Sequence, residues 1–76
     1  MKIINLDELE LKCTEFGIKN KLFIKEDLKD YNLFTINLNG RYKSKTCDIL
    51  FKDLEDSITF KSETWEKLYY QLDKFF

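Results

Sequence analysis

The sequence predicts a small α+β domain with an N-terminal helix, an antiparallel β-meander of about four strands, and a C-terminal helix packed on the sheet. Three observations predict this fold class. The dipeptide Asn39-Gly40 lies between two runs of strand-forming residues, as the turn of a β-hairpin does. Apolar and polar residues alternate in short runs around that hairpin, and an apolar stripe at helical spacing extends from Trp65 to Phe76. Because 76 residues build only one small core, we expect residues 1–76 to form a single domain.

The first element is predicted to be a helix that follows Asn5. Asn5 is a good N-cap, and Glu8, three residues later, completes a capping box. Gly17 is a suitable residue to end this helix, because glycine is common just past a helix C-terminus. Residues 6–16 also contain the alternation expected of a strand, but the helical spacing is favoured. The apolar residues with that spacing are Leu6, Leu9, Cys13 and Phe16.

The next segment, residues 18–25, is predicted to be the first strand, because its apolar residues lie mainly on one face. The polar residues 26–30 then form either a connection or a single helical turn. Toward the end of the chain, residues 57–60 are predicted to form a short strand. The final helix is expected to begin after Ser62, a good N-cap residue. Its apolar stripe, which we expect to be core, consists of Trp65, Leu68, Tyr69, Leu72 and Phe76.

The hairpin around Asn39-Gly40 allows two registers. A two-residue loop would place apolar and basic side chains on the same face. A three-residue loop with Gly40 left-handed in a G1 bulge avoids this, so we favour it. One face then carries Phe34, Ile36 and Tyr42, and the other carries Thr35, Asn37, Arg41, Lys43 and Lys45. The second strand changes parity near Thr46, which requires either a bulge or burial on both faces.

The composition argues against most catalytic and cofactor chemistry. The chain has no histidine, which is the commonest general base and metal ligand. Its two glycines, Gly17 and Gly40, form no phosphate-binding loop, and its two cysteines form no recognisable zinc site. We therefore expect no enzyme activity, no cofactor and no metal site. The net charge of −1 also gives no strong field of one sign to attract nucleic acid or membrane.

The cysteines and the absence of a targeting segment indicate a reducing compartment. Cys13 and Cys47 are too few for a disulfide framework, and each fits an apolar position, so we expect both to be reduced and buried. No apolar run approaches the length of a membrane span or a signal peptide. We expect a soluble, cytoplasmic protein.

Two surfaces are candidates for binding. Arg41, Lys43 and Lys45, on the predicted outer face of the hairpin, are possible nucleic-acid contacts. The structural alternative is that these residues only protect a strand from edge-to-edge pairing.

The second candidate surface is aromatic. Tyr31, Tyr70 and Phe75 fall outside the helix stripe, and exposed tyrosines are enriched at the energetic centres of protein interfaces. We therefore expect these three to be partner-binding residues.

No motif of a known family is present, so the functional hypothesis depends on the overall profile. The chain is short, rich in Lys, Asn and aromatic residues, and has twelve Lys for one Arg, which indicates an AT-rich coding sequence of a low-GC bacterium or its phages. This profile is typical of phage or mobile-element proteins that bind and inhibit a host protein or complex, such as a defence nuclease. Two alternatives stay open. One is a nucleic-acid-binding regulator that uses the basic hairpin face, and the other is a homodimeric accessory protein.

Overall fold

A computed structural model describes residues 2–26, 33–52 and 54–76. It shows an N-terminal helix, a three-stranded antiparallel sheet in the order β1-β2-β3, and a C-terminal helix. The predicted fold class, a small α+β domain, is confirmed, with three strands instead of about four. The elements are α1 (Leu6–Lys19), β1 (Phe34–Arg41), β2 (Ser44–Phe51), β3 (Ile58–Ser62) and α2 (Trp65–Phe75).

Helix α1 begins as predicted and ends later than predicted. The Asn5 side chain accepts a hydrogen bond from the Glu8 backbone N–H at 3.0 Å, and the Glu8 carboxylate accepts one from the Ile4 N–H at 2.7 Å. These bonds satisfy amide groups that have no partner within the helix. The helix continues through Gly17 to Lys19, so the prediction that Gly17 ends the helix was wrong.

The predicted strand at residues 18–25 was also wrong, because this segment completes α1 and then turns back on it. The Leu22 N–H donates to the Gly17 carbonyl at 2.8 Å, and Lys21 has a φ of 59°. The buried Phe23 ring then lies directly on Gly17, where any side chain would obstruct it. Burial of Phe23 therefore outweighs the local strand pattern. Of the connection predicted at residues 26–30, only Glu26 lies inside the described residues, at the end of a short 3-10 turn.

The hairpin register differs from the one we favoured. Strand β1 includes Asn39 and Gly40, the turn is formed by Tyr42 and Lys43, and Arg41 pairs with Ser44. Lys43 has the positive φ of this turn, at 56°, whereas the φ of Gly40 is not positive. The three-residue loop and G1 bulge were therefore wrong.

The observed register has a simple physical cause. It pairs Phe34 with Phe51, Ile36 with Ile49 and Leu38 with Cys47, so apolar side chains meet across the two strands on one face. The buried area gained by this alignment outweighs the turn preference of Asn-Gly. The change of parity expected near Thr46 also disappears, because the inward residues of β2 alternate regularly from Cys47 onward.

Both helices cover the same face of the sheet. In α1, Phe16 packs on Phe51 of β2 with ring centroids 5.5 Å apart, and in α2, Phe75 packs on Phe60 of β3 at 5.2 Å. The opposite face is open and carries mainly Thr, Asn and Ser side chains. The buried hydrophobic residues are Ile3, Leu9, Cys13, Phe23, Leu33, Cys47, Ile49, Phe51, Leu68 and Leu72.

Both cysteines are free thiols in this core, as predicted. Burial, with smaller contributions from Cys47 and Glu10, raises the pKa of Cys13 to about 12. Burial and the nearby Asp48 raise the pKa of Cys47 to about 11. Because the core disfavours the charged thiolate, both side chains act as small hydrophobic residues at neutral pH.

We expect Gly17→Ala to destabilise the protein. Alanine is the better helix former by about 0.8–1 kcal/mol, so helix propensity alone predicts a gain. The new Cβ would overlap the Phe23 ring, and overpacking of this kind costs about 1–3 kcal/mol. Chemical denaturation measures the difference. In a Phe23→Ala background the same substitution should become neutral or stabilising. Greater stability of Gly17→Ala in the wild-type background would contradict the contact.

The cysteines predict a loss of stability at high pH. Each folded-state pKa lies above the ordinary value of 9.0, so the folded protein retains protons that the unfolded chain releases. The contribution of the protonated thiols to the free energy of unfolding is complete below pH 9. It decreases as the pH rises toward the folded-state pKa values. The decrease in unfolding free energy above pH 9 should be smaller in Cys13→Ala. Native thiol labelling should also be slow and should accelerate in denaturant. An unchanged pH slope together with rapid native labelling would exclude burial of both thiols.

Candidate functional site

Helix α2 provides one wall of the candidate site. It begins at Trp65, and the side chain of its N-cap Thr64 accepts a hydrogen bond from the Lys67 N–H at 3.2 Å. The predicted N-cap, Ser62, is instead the last residue of β3. Leu68 and Leu72 are fully buried, which confirms the centre of the predicted stripe. Helix α2 is thus anchored by two leucines, with aromatic residues at its edges.

The N-terminal segment provides the opposite wall. The Ile3 backbone N–H donates to a carboxylate oxygen of Asp73 at 3.0 Å, which ties the beginning of the chain to the last turn of α2. The Ile3 side chain is buried, whereas Ile4 is 64% exposed. A groove of about 530 Å³ lies between this segment and α2. We call it the aromatic groove, and it is lined by Lys2, Ile3, Ile4, Trp65, Glu66, Lys67, Tyr69, Tyr70 and Asp73.

Trp65 lies at one end of the aromatic groove and depends on a glycine in β1. A Cβ added to Gly40 would lie 2.6 Å from Cζ2 of Trp65, so the indole rests directly on the backbone at this position. The Trp65 ring also contacts Tyr69, with centroids 6.4 Å apart. Trp65 is still 37% exposed, so the expectation that it is core was wrong. Its position on Gly40 leaves one side of the indole open to the solvent.

Tyr70 is the most exposed aromatic residue of the groove, at 56%. The Lys74 ammonium lies 4.8 Å from the centroid of its ring, a cation–π arrangement that holds the ring while leaving much of it accessible. The neighbouring Tyr69 is more covered, and burial together with nearby Cys47 raises the pKa of its hydroxyl. The raised pKa favours the neutral hydroxyl, which can donate a hydrogen bond to a partner.

The other predicted anchors do not join Tyr70. Phe75 is 47% exposed, but its ring packs on Phe16 and Phe76, and it lines a different groove at the end of α1. Tyr31 lies outside the described residues. Tyr70 and Phe75 therefore belong to two separate surfaces of α2.

The predicted basic face is divided. Arg41 points outward opposite Ser44, and Lys43 lies in the turn. Lys45 shares the inward parity of Cys47, is half-buried, and its ammonium donates to the Arg41 carbonyl. The assignment of all three to one exposed face was wrong, because it followed from the incorrect register. Arg41, Lys43 and Lys45 do not line up as a continuous strand face for phosphates.

Two residues of the aromatic groove had only weak signals in the sequence. Ile4 lies in the short segment before the N-cap Asn5, where a few residues give no periodic pattern to interpret. Trp65 fits the apolar stripe of α2, but no pattern in the neighbouring residues indicates that its ring packs on Gly40. Among the residues that the structure describes, no three His, Cys, Asp or Glu side chains cluster as metal ligands would.

Comparison of the chain with protein-family models, with curated proteins and with solved structures finds no match in any of the three. In the described ranges, neither helix has the length and hydropathy needed to cross a bilayer. We therefore infer function from the exposed residues of the domain.

We expect Gly40→Ala to displace Trp65. The new Cβ would meet the indole, and because Trp65 is partly exposed, the ring can move at a cost near the lower end of the roughly 1–3 kcal/mol typical of overpacking. Trp65 is the only tryptophan, so its fluorescence emission reports the movement directly. The neighbouring variant Asn39→Ala, on the open face, should leave the emission unchanged. Wild-type emission from Gly40→Ala would place the indole elsewhere.

Proposed function

We propose that this protein is a non-enzymatic binding module that attaches to another protein through the aromatic groove. The single observation that carries the proposal is the exposure of Ile4, Trp65 and Tyr70 around one concave surface. Small domains rarely leave several large apolar side chains together in solvent, and such patches mark interaction sites. Tyr and Trp are also the residues most enriched among those that dominate binding energy.

The chemistry of the groove favours a protein ligand over a nucleic acid. Its rim mixes the cations Lys2 and Lys67 with the carboxylates Glu66 and Asp73, so it offers no continuous positive surface to phosphates. An apolar side chain of a partner would fill the space between Ile4 and Tyr70. The Tyr69 hydroxyl and the rim charges would then fix its orientation through hydrogen bonds, as polar groups do in most interfaces.

We propose further that the partner is a protein of a bacterial host and that binding inhibits it in the cytoplasm, with a defence nuclease as one such target. Support comes from the short chain, the high content of Lys, Asn and aromatic residues, and the lack of histidine. A small module without catalytic groups acts by occupying a surface of its target. The aromatic groove is the surface best suited to that role.

A pull-down with matched variants tests the proposal. The bait carries its tag at the C-terminus, because Lys2 at the other end lines the groove. The wild-type bait is used to capture proteins from a lysate of a low-GC bacterium. We expect the Tyr70→Ala bait to lose the specific partner. The partner should be retained with Tyr42→Ala, which removes an equally large ring that is 88% exposed in the hairpin turn. Mass spectrometry then identifies the partner whose capture depends on Tyr70.

Direct titration with the purified partner decides the outcome. Tyr70→Ala should weaken binding by about tenfold or more, as truncation of a central interface residue does. Melting curves of both tyrosine variants should match the wild type, because both rings are mainly exposed. An Arg41→Gln, Lys43→Gln variant should bind normally. Full affinity in Tyr70→Ala, or loss of binding in the basic double variant, would contradict the aromatic groove as the binding site.

A further inference from the structure

Strand β1 forms one edge of the sheet. The strand order β1-β2-β3 places β2 in the centre, and in the described part of the chain no other strand pairs with the free side of β1. The strand is eight residues long, Phe34–Arg41. A long edge strand presents a row of backbone donors and acceptors with which another extended strand can pair.

The register identifies the backbone groups on this free side. In an antiparallel pair, residues alternate between those that bond to the neighbouring strand and those that point away from it. The Lys52 N–H donates to the Leu33 carbonyl at 2.9 Å, so the odd-numbered residues of β1 bond to β2. The N–H and C=O groups that point outward from the sheet belong to Phe34, Ile36, Leu38 and Gly40.

The two edges of the sheet differ in their protection. Strand β3 is short, carries Lys61, and the Gln71 side chain of α2 donates to the Lys61 carbonyl at 3.2 Å. These are features that prevent further strand pairing. From Phe34 to Gly40, β1 has no charged residue and no proline, and the side chains on its open face are Thr35, Asn37 and Asn39. The β1 edge is therefore open to a strand in a way that the β3 edge is not.

We propose that β1 pairs antiparallel with β1 of a second copy of this chain, so that the two sheets become continuous. One register suits a two-fold axis. With Asn37 opposite Asn37 of the second copy, Ile36 faces Leu38 and Phe34 faces Gly40. The N–H and C=O groups that these four residues direct toward the free edge then all form hydrogen bonds across the axis, and none of the eight lacks a partner.

The side chains fit the same register. On the covered face, Ile36 beside Leu38 of the second copy extends the apolar rows of each sheet. Phe34 of the second copy lies beside Gly40, next to the Trp65 indole that covers this glycine. On the open face, Thr35 lies opposite Asn39, so no like charges meet. This self-complementarity is why the edge selects a second copy. None of these edge residues lines the aromatic groove, and Gly40 touches one of the residues that do, Trp65. Tyr70 lies away from the β1 edge, so its substitution does not touch the proposed dimer contacts.

Sedimentation equilibrium over a series of concentrations tests the dimer. We expect the wild type to approach twice the monomer mass of 9.2 kDa as the concentration rises. Tyr70→Ala should dimerise equally, which separates this result from the proposed partner binding. A wild type that stays monomeric throughout the series would overturn the proposal, including the case in which β1 pairs only with a strand of another protein.

A charge exchange tests the register. The Thr35→Lys, Asn39→Lys variant places like charges opposite each other at two positions and should be monomeric, and Thr35→Asp, Asn39→Asp should be monomeric for the same reason. A mixture of the two should form a heterodimer, because each Lys then faces an Asp. The control, Ser57→Lys with Thr59→Lys near the β3 edge, should dimerise like the wild type. Dimers that survive the β1 substitutions, or a mixture that stays monomeric, would refute pairing through β1 in this register.

Discussion

The Phe51 side chain holds the domain together. Its ring is fully buried and contacts Phe16 of α1 at 5.5 Å, Phe23 of the following turn at 6.5 Å, and Phe34 of β1 at 5.8 Å. One residue of the central strand thus joins the first helix, the segment that folds back on it, and the neighbouring strand. In a chain of 76 residues with little area to bury, a large aromatic ring at this point supplies packing that several smaller residues would have to share.

The position of Phe51 also fixes the hairpin. For its ring to face inward beside Phe34, the two strands must align so that Ile36 meets Ile49, and the turn then falls at Tyr42 and Lys43. Asn39 and Gly40 are drawn into the strand, against their local preference. Within the strand, Gly40 has another role, because the absence of a side chain allows the Trp65 indole to pack directly on its backbone. The same alignment sends Lys45 inward and Arg41 outward, so the turn chemistry, the seat of Trp65 and the division of the basic residues share one cause.

Local sequence signals predicted the elements better than their connections. The Asn5 cap and the buried Leu68 and Leu72 followed from spacing and capping, because these depend on residues within a few positions. The turn at residues 42–43 did not, since a turn preference is a small energy and the paired apolar rows determine the register. In the same way, the exposure of Tyr70 was predicted because this residue falls outside the apolar stripe of α2. The aromatic groove was not, because it needs Ile4 and α2 to meet, and their proximity is a product of the whole fold.

The bond between the Ile3 amide and Asp73 spans 70 positions of the chain. The two walls of the aromatic groove are therefore far apart in the sequence, and the segment that carries Ile3 is synthesised well before α2. Closing so long a loop has an entropic cost that only the assembled core offsets. A chain that lacks α2 cannot form the groove, so the surface that we propose for partner binding exists only after α2 has been synthesised and has packed against the N-terminal segment.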